Sequence, residues 1–238
     1  MIPEEENVGK GADTTISLVH NYFEKHGLGE KRVIIHADNC SGQNKNNAMI
    51  MYLAWRIANN LHDKITYSFM VAGHTKFTPD GFFGLFKLKL RYSEVDDMED
   101  LIKVVKESTT GGYNVAQPIF NNDGQRNVFF YNWTEFLVNY FNTVPQIKKQ
   151  HHFILSQDKI GIVEVKTAVN EGSQMINLTK KGYSVNLPSF PKEKIAKGLT
   201  PERQWYLYEE IRKHVQDPSK HDAYCPLPSI NKPKKLIK

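Results

Sequence analysis

Asp38 and Asp80 are the residues of this sequence best suited to chemistry, because each stands in a polar segment where a backbone element is expected to end or begin. Asp38 opens the run Asp38-Asn39-Cys40-Ser41-Gly42-Gln43-Asn44-Lys45-Asn46-Asn47, which is almost free of apolar side chains, and Asp80 follows Gly73-His74-Thr75-Lys76-Phe77-Thr78-Pro79. Cleaving or joining phosphodiesters with Mg²⁺ or Mn²⁺ needs carboxylates that hold a hard cation while leaving positions for water and phosphate oxygens. On that chemistry Asp38 and Asp80 are the candidate metal ligands. His74 and Lys76 complete the candidate catalytic set, as groups that stabilise charge on the scissile phosphate. Asn39, Gln43, Asn44 and Lys45 are candidates for orienting the acids or contacting nucleic acid. Each acid also has a plainer reading. An Asp-Asn pair at a strand end forms turns by bonding nearby backbone amides, and an acid in the first turn of a helix complements its dipole.

The elements around these residues are legible in the pattern of apolar positions. Ile16, Val19, Tyr22 and Phe23 recur at helical spacing over residues 14–26, and Gly27 follows as a stop. Residues 32–37, Arg-Val-Ile-Ile-His-Ala, form a short β-branched run that predicts a buried strand ending at Asp38. Ile50, Leu53, Ala54, Ile57 and Leu61 mark a second helix, and residues 64–72 read as a second strand. A third helix follows with Thr78 as N-cap and Pro79 at its first position. This order predicts an α/β fold with parallel strands joined by a crossover helix. Ligands in such sheets bind beyond the carboxyl ends of the strands, which is where both acids are expected, with their carboxylates within roughly 4 to 8 Å of each other.

Three segments carry a resemblance. Residues 9–17, Gly-Lys-Gly-Ala-Asp-Thr-Thr-Ile-Ser, residues 36–47 with the motif Asp-Asn-Cys-x-Gly-Gln-Asn, and residues 73–84 with Gly-His-x-x-x-x-x-Asp resemble a family of uncharacterised, transposon-related proteins of animal genomes. The closing segments, residues 198–208 and 225–228, are similar to it as well. The resemblance implies a partial ribonuclease H-like core of the transposase kind, helix-strand-helix-strand-helix, over residues 1–110. An accessory α+β region with a basic tail is expected over residues 111–238, with Gly111-Gly112 as the boundary. It also implies a metal-dependent nuclease or strand-transfer domain acting on DNA; the alternative is a non-catalytic, domesticated descendant that binds nucleic acid or protein. Ribonuclease H-like enzymes carry a first acid on a strand that precedes the helix matching residues 14–26. Here only about a dozen residues precede that helix, and Asp13 reads as its cap. The chain is accordingly expected to be incomplete, to hold Mg²⁺ weakly, and to expose the edge of the strand over residues 32–37.

Composition bounds the rest. The chain has 238 residues, 40% of them hydrophobic, which suffices for a sizeable core. It has two cysteines, too few for a disulfide framework, and no apolar stretch long enough to span a bilayer, so a nuclear or cytoplasmic protein without membrane contact is expected. Its charge of +5 suits a polyanionic partner, with Lys232, Lys234, Lys235 and Lys238 concentrated at the end. Phe129, Phe130, Trp133, Phe136, Leu137, Tyr140 and Phe141 lie at helical spacing and read as core rather than as a base-stacking platform. His151-His152 begin a strand pair, and as neighbours on a strand they point to opposite faces.

Overall fold

The computed structural model describes residues 1–70, 78–181 and 190–233. In chain order its principal elements are α1 (Ala12–His26), β1 (Arg32–Ala37), α2 (Asn47–Ala58), β2 (Lys64–Phe69), α3 (Thr78–Arg91), α4 (Met98–Glu107), α5 (Trp133–Leu137), β3 (His152–Ser156), β4 (Ile162–Lys166), β5 (Gln174–Asn177), α6 (Pro201–Tyr206) and α7 (His221–Tyr224). They form two compact units. The first comprises residues 8–75 and 128–195, the second residues 1–7, 76–127 and 196–238.

The first unit is built on a mixed five-stranded sheet of order β1-β2-β3-β4-β5. β1 and β2 run parallel, joined through α2, and the remaining neighbours are antiparallel. Alternation along the strands sends Ile65, Tyr67, Phe153, Leu155, Val163 and Val165 to one face, where all are buried. Against that face lies α2, whose residues Ala48 to Ile57 are all buried. A helix apolar all round is a helix covered all round: α1 and α5 close its far side, with Ile16, Trp133 and Leu137 fully buried in the same core. Of the aromatic segment expected to form core, Phe130, Trp133, Leu137 and Phe141 are buried and Phe136 and Tyr140 pack against them, whereas Phe129 is 42% exposed. Among the described residues β1 is an edge strand, paired on one side only, and Ile34 on it is 67% exposed.

The expected division at residues 110 and 111 is not where the contacts divide. The strand pair expected in an accessory region, β3 and β4, extends the sheet begun by β1 and β2. Pattern alone places a strand but not its neighbour, since pairing is chosen by side chains far away in sequence. The tight turn between β3 and β4 relies on Gly161, which has φ +78° and whose missing Cβ would collide with Thr179 Oγ1.

α2 starts at a side-chain cap. The Oδ1 of Asn46 accepts from the backbone N–H of Met49 at 3.0 Å, while its Nδ2 donates to the Gln43 carbonyl at 3.0 Å. Asn46→Ala is expected to cost about 1 kcal/mol of unfolding free energy in denaturant titration; a change within a few tenths would show that the cap is dispensable.

In the second unit α3 and α4 pack together, tied by a 3.0 Å ion pair from Lys89 to Glu107 and by Asn114 Nδ2 donating to the Phe82 carbonyl at 3.0 Å. Lys220 bridges Asp97 and Asp100 at 2.6 and 3.0 Å. The helix expected over residues 201–214 runs as α6, a π-helical stretch at Leu207–Ile211 and a final 3-10 turn at Arg212–His214. Trp205 donates its indole N–H to the Ile230 carbonyl at 3.0 Å and so packs within its unit. Lys232 of the basic tail pairs with Glu209 at 2.6 Å, whereas Lys234, Lys235 and Lys238 lie outside the described residues. Among the described residues no helix is long and apolar enough to cross a membrane.

Candidate functional site at the end of strand β1

Where β1 ends, the chain turns through residues 38–46 before entering α2, and nearly every polar group in this turn has an internal partner. Asp38 Oδ1 accepts from the Cys40 N–H at 3.0 Å and from Asn44 Nδ2 at 2.7 Å. The Cys40 carbonyl accepts in turn from the N–H groups of Gln43, Asn44 and Lys45 at 3.3, 2.8 and 3.0 Å. Asp38 itself is exposed, and among the described residues no partner is bonded to its Oδ2.

Asn39 is spent on the scaffold. Its Nδ2 donates to the Met70 carbonyl just past β2, and its Oδ1 accepts from Lys45 Nζ at 2.9 Å. Lys45 was expected among the nucleic-acid contacts, but it is only 5% exposed, with its ammonium 5.1 Å from the centroid of Phe69. Desolvation by burial lowers its pKa. Lys45 thus clamps the loop from inside, while Asp38, Cys40 and the Ser41-Gly42-Gln43 tip are exposed. The strand beneath adds a group that sequence reasoning missed: the Tyr67 hydroxyl donates to the Asn44 carbonyl at 3.2 Å. Burial first, and then the Asp38 charge, push the Tyr67 phenol above its ordinary pKa. A tyrosine inside a β-branched run, two residues from the strand end, was the available signal.

His74 and Lys76 lie outside the described residues. Asp80 is exposed in the first turn of α3, in the second unit. Asp13, read as a cap for α1, serves another helix instead: Gly11 occupies the cap position of α1, while Asp13 Oδ1 accepts from the N–H and hydroxyl of Thr134, at 2.8 and 2.7 Å, in the first turn of α5. Lys194 Nζ pairs with its other oxygen at 3.3 Å. Among the described residues no three His, Cys, Asp or Glu side chains gather into a metal-binding group. Mg²⁺ keeps several waters and is often held by one or two carboxylates plus substrate phosphates. Asp38 Oδ2 fits one such ligand, whereas Asn39 does not, because both ends of its amide are occupied.

A second cluster, also missed, lies under α2. Arg56, 3% exposed, donates from Nε to His62 Nδ1 at 3.1 Å and from Nη1 to the Tyr52 hydroxyl and Glu24 Oε1, each at 3.1 Å. Its Nη1 also lies 3.3 Å from His20 Nδ1. Both histidines are pushed down to about 4, by burial first and by the Arg56 charge second. An arginine at position 56, one turn after Tyr52 in an otherwise apolar helix, was the sequence signal for it.

A mixed α/β sheet with a mounted acid at the end of its one parallel strand pair is the class that fold and site define. Residues 5–171 match the model of a domain of unknown function, DUF7869, and the chain belongs to that family. No curated protein and no solved structure matches it significantly.

Proposed function

We propose that this chain is a transposase-derived, metal-dependent phosphodiester nuclease or strand-transfer domain with a ribonuclease H-like core, acting on DNA. The observation that carries the reading is Asp38: an exposed carboxylate at the carboxyl end of β1, with one oxygen fixed by Cys40 and Asn44 and no partner on the other among the described residues. In this reading Asp38 and Asp80 are each a ligand for Mg²⁺ or Mn²⁺, which would supply Lewis-acid polarisation of the scissile phosphate. Asn44 orients Asp38, and Asn39 with Lys45 holds the loop against the end of β2. Gln43 at the exposed tip contacts phosphate, and His74 and Lys76 stabilise charge on it.

The test is cleavage of a labelled DNA duplex by the full chain with Mg²⁺ or Mn²⁺. Asp38→Asn and Asp80→Asn are each expected to abolish cutting. Asn44→Ala, which removes a partner of a ligand rather than a ligand, is expected to cost on the order of 10- to 100-fold. Cleavage that survives Asp38→Asn sinks the assignment of that residue. DNA binding without any cutting, indifferent to metal, favours the non-catalytic descendant.

A further inference from the structure

The face of the sheet turned away from α2 has its own organisation. Register places His36 of β1 beside Ser68 of β2, Ser68 beside His152 of β3, and His152 beside Lys166 of β4. Four side chains able to donate hydrogen bonds thus stand in one row across four strands, which at roughly 4.8 Å per strand is about 14 Å long. Two of them are already coupled: Ser68 Oγ and His152 Nδ1 lie 3.0 Å apart.

Among the described residues the row has no carboxylate paired to it, although Glu164 stands two residues from Lys166 on the same face. Elsewhere Lys89, Lys194, Lys220 and Lys232 each have an acid within bonding distance. Burial first, then the charges of Lys166 and His36, hold His152 below its ordinary pKa, so these groups lie within electrostatic reach of one another. His36 stands two residues before Asp38, which puts the row beside the acid of the candidate site.

We propose that His36, His152 and Lys166, with Ser68, only 8% exposed, bonded to His152 between them, form a track for the phosphodiester backbone of a nucleic-acid strand led toward Asp38. Imidazole N–H and ammonium groups donate to phosphate oxygens, and no base is read. The choice of ligand rests on the phosphodiester reading of Asp38.

The experiment measures binding of a fluorescent, random-sequence single-stranded DNA oligonucleotide to the full chain in EDTA, across a salt series. Lys166→Gln is expected to weaken binding roughly threefold or more and to flatten the slope of log K against log salt by about 0.7, the value of one lost phosphate contact on a single strand. His36→Gln and His152→Gln weaken binding with little change of slope, and Lys159→Gln, away from the row, leaves both unchanged. Retained thermal midpoints show that the variants fold. The proposal is overturned if the chain does not bind, if the three row variants bind like the unaltered chain, or if a polyglutamate peptide displaces the oligonucleotide as well as unlabelled DNA does. Because binding is read without metal, a chain that binds through the row but never cuts keeps the track and removes the nuclease. A chain that cuts yet ignores Lys166→Gln does the reverse.

Discussion

Arg56→Ala is expected to lower the unfolding free energy by about 3 to 5 kcal/mol, a large share of the 5 to 15 kcal/mol typical of a domain. The guanidinium is 3% exposed and joins four side chains of α1, α2 and the α2–β2 turn: Glu24 and His20, Tyr52, and His62. Removing it strips the imidazole acceptors of His62 and His20 of their donor in a dry site, and Glu24 loses its partner. It also leaves a void beside Phe23, whose ring centroid lies 4.7 Å from the guanidinium carbon. Arg56→Lys should recover only part of the loss, because a point ammonium cannot reach Nδ1 of one histidine and the carboxylate of Glu24 with the same planar fork. Glu24→Gln should cost less, since Glu24 is half-exposed. Urea titrations of the three variants give the order directly, and a loss under about 1 kcal/mol for Arg56→Ala would mean that the cluster is incidental to stability.

Acid should destabilise the chain well above the range in which carboxylates titrate. His20 and His62 are both pushed to about 4 in the folded protein, against about 6.5 when unfolded. The cause is visible in the bonds: each Nδ1 faces an Arg56 N–H, so each ring must present a lone pair there, and an imidazolium has none to present. Between pH 6.5 and 4 the unfolded chain therefore binds up to two more protons than the folded one. Stability is full above pH 6.5 and falls as pH drops through this window, by at most roughly 2.7 kcal/mol per pH unit near its middle. His151 and His152, also held low, add in the same direction. The paired acids Asp100, Glu107 and Asp217 have lowered pKa values and contribute stability that is lost at lower pH, so the two effects separate along the axis. Thermal midpoints from pH 7 to 4.5 test this. The midpoint should fall steadily, and His62→Leu should flatten the decline even if it lowers the midpoint at pH 7. A level profile in the unaltered chain would refute the neutral-histidine account.

Much of the first unit is legible in the sequence because its information is local. The apolar period of residues 16–23 places α1 to within two residues of its start, and Gly27 marks its end. The β-branched run at 32–37 and the switch back to helical spacing after Asn47 give β1 and α2, and with them the position of Asp38 at a strand end. Local pattern also identified the segment around Trp133 as core, since a helical face of aromatics has few other ways to leave water.

Pairing between distant segments was settled elsewhere. That β3 and β4 join β2 rather than form a module of their own depends on Tyr67 meeting Phe153 and Phe153 meeting Val165, contacts between residues far apart in the chain. The same holds for polar groups. Lys45 and Asn39 look like phosphate contacts when read along the chain, and Asp13 looks like a cap for its own helix. In the fold Lys45 turns inward onto Asn39 and Phe69, and Asp13 serves α5. A charged or amide side chain has several partners within reach in any sequence. Burial decides among them, because a polar group taken from water must bond to whatever the packed core brings near, and only the tertiary structure determines what that is.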